Sequence, residues 1–333
     1  MRRKEIKRFQ YGLIVILSLS FLLFSQCSTK KNTKAIKLAH GLPVEHPVHK
    51  AMVFMQKRLA EISKGNLTIQ IYPSGQLGSE QQCVELLQIG SLAITKVSAA
   101  IMESFADDYK VLGLPYLFRS KEHGFKVMDG EIGRELLLST ESKWIRGLCF
   151  YDAGSRSFYT ISKPIVTPED LTGMKIRVMK SKTAMEMVQA LGGSPTPLSW
   201  GELYTALQSG VVDGAENNPP SLYTSHHYEV CKYYSLDEHS SVPDVLIISK
   251  TIWDRLSDQE QKWLQQAVNE SVPVERKLWA ESVEESLRIV QEAGVKINYP
   301  DKDLFREKVK GIYEGYKSNE TIYSYIQRIR AID

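Results

Sequence analysis

Two arginines in otherwise apolar surroundings carry the clearest chemical signal in the sequence. Arg177 lies in "GMKIRV", residues 173–178, where Met174, Ile176 and Val178 alternate with Lys175 and Arg177. A period of two marks a half-buried strand, so the arginine faces away from the apolar side. Arg156 lies in "YDAGSRSFYT", residues 151–160, among small and aromatic residues. Guanidinium is a planar fork of donors that can hold both oxygens of a carboxylate at once. A third stretch, "VVDGAENNPPS", gathers Asp213, Glu216, Asn217 and Asn218 ahead of two stiffening prolines, Pro219 and Pro220. Trp200 can add a flat amphipathic wall. A single arginine on a strand usually meets water or a nearby acid. Polar groups concentrated at the ends of apolar strands, as here, point instead to a carboxylate-binding site.

Other chemistries lack their residues. G-x-S-x-G, Walker and G-x-G-x-x-G patterns are absent, so no cofactor is expected. His46 and His49 are three apart in "HGLPVEHPVH", which also holds His40, but Pro47 intervenes and no third ligand is spaced to join them. A metal site is therefore not expected. His226 and His227 read as exposed or helix-end residues. Cys83, Cys149 and Cys231 lack C-x-x-C spacing, and an odd number cannot pair completely within the chain. Buried free thiols are the expected state.

The elements that must position these groups alternate between strand and helix. "AIKLAH" and "LTIQIY" read as strands around a helix over residues 47–64, with Val48, Met52, Met55, Leu59 and Ile62 at helical steps and Gly65 as its stop. Ser79 caps the next helix with Gln82 three residues on, and "SLAITKV" is the following strand. After Cys149, strands near "CFYD" and "RSFYTIS" lead through "TPEDL" to the Arg177 strand and the helix "SKTAMEMVQALGG". Ser199 with Glu202 and Ser257 with Glu260 form two further capping boxes. The second opens a long helical stretch reaching about residue 293. Such alternation indicates an α/β architecture, and 333 residues suffice for two lobes.

Composition adds limits. The chain is 43% hydrophobic and 24% charged, as ordinary globular proteins are. Its net charge of +3 comes from its beginning: residues 1–26 hold five basic side chains and one acid. Without them 37 basic residues face 38 acidic ones, so nothing favours nucleic acid. "MRRKEIKR" followed by the short apolar run of residues 13–24 reads as an export signal. It stops at Cys27, an arrangement that resembles a bacterial lipoprotein signal, although Phe24 and Gln26 depart from the usual residues. Residues 1–26 are then a signal peptide, Cys27 is the lipidated residue, and residues 27–34 are a polar tether.

The segments "YPSGQLGSE", "LPYLF", "GSRSFYT", "LTGMKIRV", "GGSPTPLSWGELYTALQSGVVDGAEN" and "YPD" resemble the solute-binding proteins of TRAP (tripartite ATP-independent periplasmic) transporters. The resemblance runs from residue 35 almost to the C-terminus. It implies a two-lobed, periplasmic-binding-protein-like α/β fold with a central ligand cleft and a long helix spanning both lobes. Residues 35–153 and 243–282 would form lobe I, and residues 154–242 and 283–333 lobe II. It also implies a ligand held by cleft closure, no catalytic activity, and delivery to the small and large membrane subunits of a TRAP permease. Residue by residue, it assigns ligand contact to Arg177, Arg156, Trp200 and Asn217. On the other lobe it assigns Glu80, Lys96, Ser98 and Asp244, with His40 at the end of the first strand.

That many polar groups would leave a simple aliphatic acid with several unpaired partners, at about 1–3 kcal/mol each. A sugar acid such as a hexuronate is therefore the expected ligand, with a C4-dicarboxylate or keto acid as the alternative. From other classes, a sensor feeding a membrane receptor would use the same cleft, and an exported enzyme would need Glu80 and Asp244 as a facing acid and base.

Overall fold

The computed structural model describes residues 33–333. Strand β1 (Lys34–Ala39) leads through helix α1 (Pro47–Ile62) to β2 (Leu67–Tyr72), α2 (Glu80–Gln88), β3 (Ile94–Ser98) and the short α3 (Ala99–Met102). Helices α4 (Lys121–Asp129) and α5 (Glu131–Ser139) precede β4 (Ile145–Tyr151). The chain continues through β5 (Arg156–Thr160), β6 (Lys175–Val178), α6 (Lys182–Ala190), β7 (Ser194–Pro197), α7 (Trp200–Gln208), β8 (Gly214–Asn217), α8 (Pro219–Thr224) and β9 (Tyr233–Ser240). It returns by β10 (Asp244–Ser249), α9 (Lys250–Trp253) and the long α10 (Asp258–Glu292), then ends with β11 (Lys296–Asn298), α11 (Lys302–Gly315) and α12 (Glu320–Ala331).

The strands form two sheets, ordered β2-β1-β3-β10-β4 and β11-β9-β5-β8-β6-β7. Each is mixed. β10 runs antiparallel to both β3 and β4, and β5 runs antiparallel to both β8 and β9. The chain crosses between the sheets three times, directly at residues 152–155 and 241–243 and then along α10, between β10 and β11. A strand entering from the other lobe has no helical crossover to turn it round, so it pairs antiparallel. The fold is the expected two-lobed α/β arrangement.

Local signals explain where the helices begin. Ser79, Ser199 and Ser257 each make the reciprocal capping box with Gln82, Glu202 and Glu260. Pro47 opens α1 at a position where its missing N–H costs nothing, and the His46 side chain caps the helix by accepting from the Val48 amide. Helix α10 has 35 residues, about 50 Å of length. Its Leu264, Ala267, Val268 and Trp279 pack in the core beneath the first sheet, and its Val290 packs beneath the second. One rigid element thus reaches both lobes.

The C-terminal segment divides where a single lobe was expected for residues 283–333. β11 joins the six-stranded sheet, but α12 packs back on lobe I. Ile322, Ile326 and Ile329 share a core with Leu117, Val127 and Leu136, and Arg328 pairs with Glu135 at 2.7 Å. The apolar stripe of α12 finds its partner there, a long-range match that local patterning does not encode. Likewise β1 starts at Lys34, the last residue expected in the tether. Residues 1–26 and Cys27 lie outside the described residues. No described helix is long and apolar enough to cross a membrane.

Candidate ligand-binding site

A cleft lies between the lobes. Eight of the nine expected contact residues line it: Arg156, Arg177, Trp200 and Asn217 from lobe II, and Glu80, Lys96, Ser98 and Asp244 from lobe I. The lobes touch around it. His46 Nε2 and Ser221 Oγ are 3.4 Å apart, and the Asn218 side chain donates through Nδ2 to the Ala153 carbonyl at 3.0 Å. Further out, the Glu103 carboxylate of lobe I accepts from Ser181 Oγ (2.9 Å), the Thr183 amide (3.2 Å) and Thr183 Oγ1, at the start of α6 in lobe II.

Arg177 is 2% exposed, although its flanking Ile176 and Val178 are fully packed on the opposite face of β6. Its Nε and Nη2 both donate to the Leu198 carbonyl, at 3.0 and 2.7 Å. Its Nη1 is buried with no partner among the described residues. A guanidinium has five N–H groups, so the two bonds to Leu198 leave three, two on Nη1 and one on Nη2. One Nη1 hydrogen and the remaining Nη2 hydrogen form the terminal edge of the fork, a bidentate seat for a carboxylate. No acid among the described residues bonds to this arginine, and burial pulls its pKa down. The Trp200 ring lies 5.6 Å from its guanidinium carbon, a cation–π contact that helps hold the fork in place.

Arg156, expected as a second ligand arginine, lines the cleft but spends most of its donors inside the fold. Its Nε donates to Glu216 Oε2 at 2.5 Å, its Nη2 to the Glu216 carboxylate and carbonyl at 3.0 and 2.8 Å, and its Nη1 to Asn217 Oδ1 at 2.8 Å. Four of its five N–H groups are occupied, and one on Nη1 remains. Behind it, Glu216 also meets His239 at 3.4 Å, and His239 meets Asp237 at 2.8 Å. Burial works against the charged form of each, but the partners win where attraction is strongest. Arg156 and His239 bring Glu216 down to about 2, and Asp237 and Glu216 hold His239 up at about 9. Two cations and two carboxylates neutralise one another. Asn217 is fixed by this network through Oδ1, which also accepts from the Asn218 amide at 2.9 Å, so its Nδ2 is the group left to donate.

On lobe I, Lys96 sits between two acids. Its Nζ lies 3.0 Å from Glu80 Oε1 and 3.1 Å from Asp244 Oδ2. Burial would strip its proton, but Asp244 and Glu80 raise its pKa. Glu80 Oε2 accepts from the Ser98 amide at 3.2 Å, and Ser98 Oγ accepts from the Ala100 amide, capping α3. β3 and β10 pair Ser98 with Asp244 directly, and Lys96 with Leu246, so the sheet register sets the cluster.

His40 is not among the lining residues. It is buried behind the wall, with Nε2 3.0 Å from His49 Nδ1 and Nδ1 accepting from the Leu42 amide. Burial, Lys96 and His49 drive its pKa down to about 3. Among the described residues no group of three or more His, Cys, Asp or Glu could hold a metal ion. Sequence reasoning missed His46, Trp279, Gln81 and Lys180, which also line the cleft. His46, directly before Pro47, carried a helix-cap signal that could have placed it. Trp279 comes from the middle of a long helix and carried none.

The description "Bacterial extracellular solute-binding protein, family 7" (DctP) belongs to a family model matching residues 38–319. The chain belongs to this family. The TRAP periplasmic solute-binding protein of Xanthobacter autotrophicus Py2, solved with bound beta-D-galacturonate, is 38% identical; the match covers 90% of this chain and all of that one, with a TM-score of 0.87. That of Anaerococcus prevotii, solved with bound D-glucuronate, is also 38% identical over 89% and 97% of the two chains, again at 0.87. The C4-dicarboxylate-binding periplasmic protein DctP of Rhodobacter capsulatus is 32% identical over 78% of each chain. As a TRAP solute-binding protein, the chain is a periplasmic transport component that binds small carboxylates and works with membrane permease subunits.

Proposed function

We propose that this solute-binding protein captures a hexuronate or closely related sugar acid between its lobes and hands it to the small and large subunits of a TRAP permease. The observation that carries this reading is Arg177: a buried guanidinium with a free terminal edge and no acid bonded to it. The ligand carboxylate seats there, through charge-assisted bonds of about 1.5–3 kcal/mol each. Asn217 Nδ2, the remaining Nη1 hydrogen of Arg156, and the Glu80, Lys96, Ser98 and Asp244 groups meet the hydroxyls, and Trp200 covers a ring face. A ligand favours the closed state only through contacts made to both lobes, and these residues are divided between them. Uronate-bound solved relatives support the same ligand class. The protein acts by binding and not by catalysis. Glu80 and Asp244 share one lysine on one wall, so they do not face each other across a substrate as a hydrolytic acid and base must.

In this reading residues 1–26 direct export, and lipid on Cys27 anchors the protein at the extracytoplasmic membrane face. Mass spectrometry of the mature protein is expected to find a lipidated N-terminal Cys27; an unmodified one means the anchor is absent. Calorimetric titration tests the ligand class. D-glucuronate or D-galacturonate is expected to bind more tightly than succinate, and tighter succinate binding would overturn the sugar-acid reading.

A further inference from the structure

The two walls of the cleft carry opposite charge. On lobe II, Arg156 is neutralised by Glu216, which leaves Arg177 as the buried cation with no acid bonded to it; Lys180 is exposed at the rim. On lobe I, two carboxylates share one ammonium, a net charge of −1. The bonds within that wall consume its donors more than its acceptors. Lys96 gives one hydrogen to each acid and keeps one. Glu80 keeps spare lone pairs, and among the described residues no hydrogen bond fixes Asp244 Oδ1. Nor does the positive end of α2 offset this, because Glu80 itself stands in its first turn. The wall is already strained toward neutrality: burial raises the Asp244 pKa, Lys96 draws it down and Glu80 pushes it up again.

We infer that the Glu80–Lys96–Asp244 wall is a selectivity element, which accepts the hydroxylated end of a sugar monoacid and rejects a sugar diacid of the same chain length. The inference rests on the sugar-acid reading above. A hydroxyl can donate to Asp244 Oδ1 or Glu80 Oε2 and accept from the remaining Lys96 hydrogen. A second carboxylate has nothing to donate. It would bring a third anion beside two that share one cation, in a largely buried site, where like charges and unpaired acceptors are both costly.

Galactonate and galactarate make the cleanest pair of probes, because they differ only in whether carbon six is a hydroxymethyl group or a carboxylate. Calorimetry at pH 7.5 on the wild-type protein is expected to show galactarate at least 100-fold weaker than galactonate. In Asp244→Asn, and separately in Glu80→Gln, both ligands should change, but their ratio should fall at least tenfold. The second variant keeps the test available if the first does not fold. Galactarate within threefold of galactonate in the wild type overturns the inference while leaving uronate binding intact. An unchanged ratio in a folded variant also overturns it. If galactonate, glucuronate and galacturonate all fail to bind, the sugar-acid reading itself falls and takes this inference with it.

Discussion

Arg156 and Arg177 lie on β5 and β6, the strands that flank β8 in one sheet, are both buried, and are held in opposite ways. Arg156 is locked to Glu216 at its core-facing end and continues into His239 and Asp237. Arg177 has only a backbone carbonyl and an aromatic face. The first arrangement repays its desolvation with partners built into the chain. The second leaves part of that cost uncompensated until a ligand supplies the charge. In the proposed function this division has a use: the neutralised network would make a rigid wall, and the unpaired arginine would make the wall selective for anions. Function here resides in what the fold leaves unsatisfied.

If that contrast is right, the two arginines respond differently to truncation. Arg156→Ala should strip Glu216 of its main counter-ion inside the core and lower stability by roughly 3–5 kcal/mol. Urea denaturation without ligand measures this, and a loss below about 1 kcal/mol would mean that the network is not structural. Charge-neutral replacement of both Arg156 and Glu216 by apolar residues of similar volume should recover much of the loss, since the cost of Arg156→Ala is the uncompensated Glu216 charge and not the absence of the pair.

A smaller effect separates the contact between lobes from the walls. Burial pushes the Glu103 carboxyl up to about 7, although Ser181 and Thr183 donate to it. With its folded value above the ordinary 4.5, folding takes up a proton between the two. The contribution is fully present below about 4.5 and lost as pH rises through 7, at about 1.4 kcal/mol for each pH unit that separates the two values. The buried His40 and His227, both held near 3, work in the opposite direction below pH 6.5 because they stay neutral while the unfolded chain charges. The measurement is therefore a difference. Wild type minus Glu103→Gln should become more favourable to wild type as pH falls from 8 to 5. A flat difference would mean that Glu103 does not change protonation on folding.

Much of this was legible in the sequence where the physics is local. The Arg177 strand, the α2, α7 and α10 capping boxes and the proline at the start of α1 follow from residues within a few positions of one another. The polar cluster ending in Asn217 could be located, but not its internal pairing: Glu216 lies 60 residues from Arg156, and nothing short-range shows that their side chains meet. The same limit hid Lys96 between Glu80 and Asp244, which the register of β3 against β10 brings together. It hid the return of α12 to lobe I, and it let His40 pass for a cleft residue when its bond to His49 turns it inward.

The central claim is that Arg177 exists to hold a carboxylate. Its most direct test is titration of D-glucuronate or D-galacturonate, whichever binds the wild type more tightly, into wild type, Arg177→Ala and Arg177→Lys, with thermal melts of each protein alone. Arg177→Ala should lose about 3–5 kcal/mol of binding, two to four decades in affinity, and Arg177→Lys should also bind poorly because a point charge replaces the fork. The melting temperature of unliganded Arg177→Ala should equal or exceed that of wild type, since an uncompensated buried charge has been removed. Binding within threefold of wild type by the alanine variant, or its failure to fold, would contradict the account.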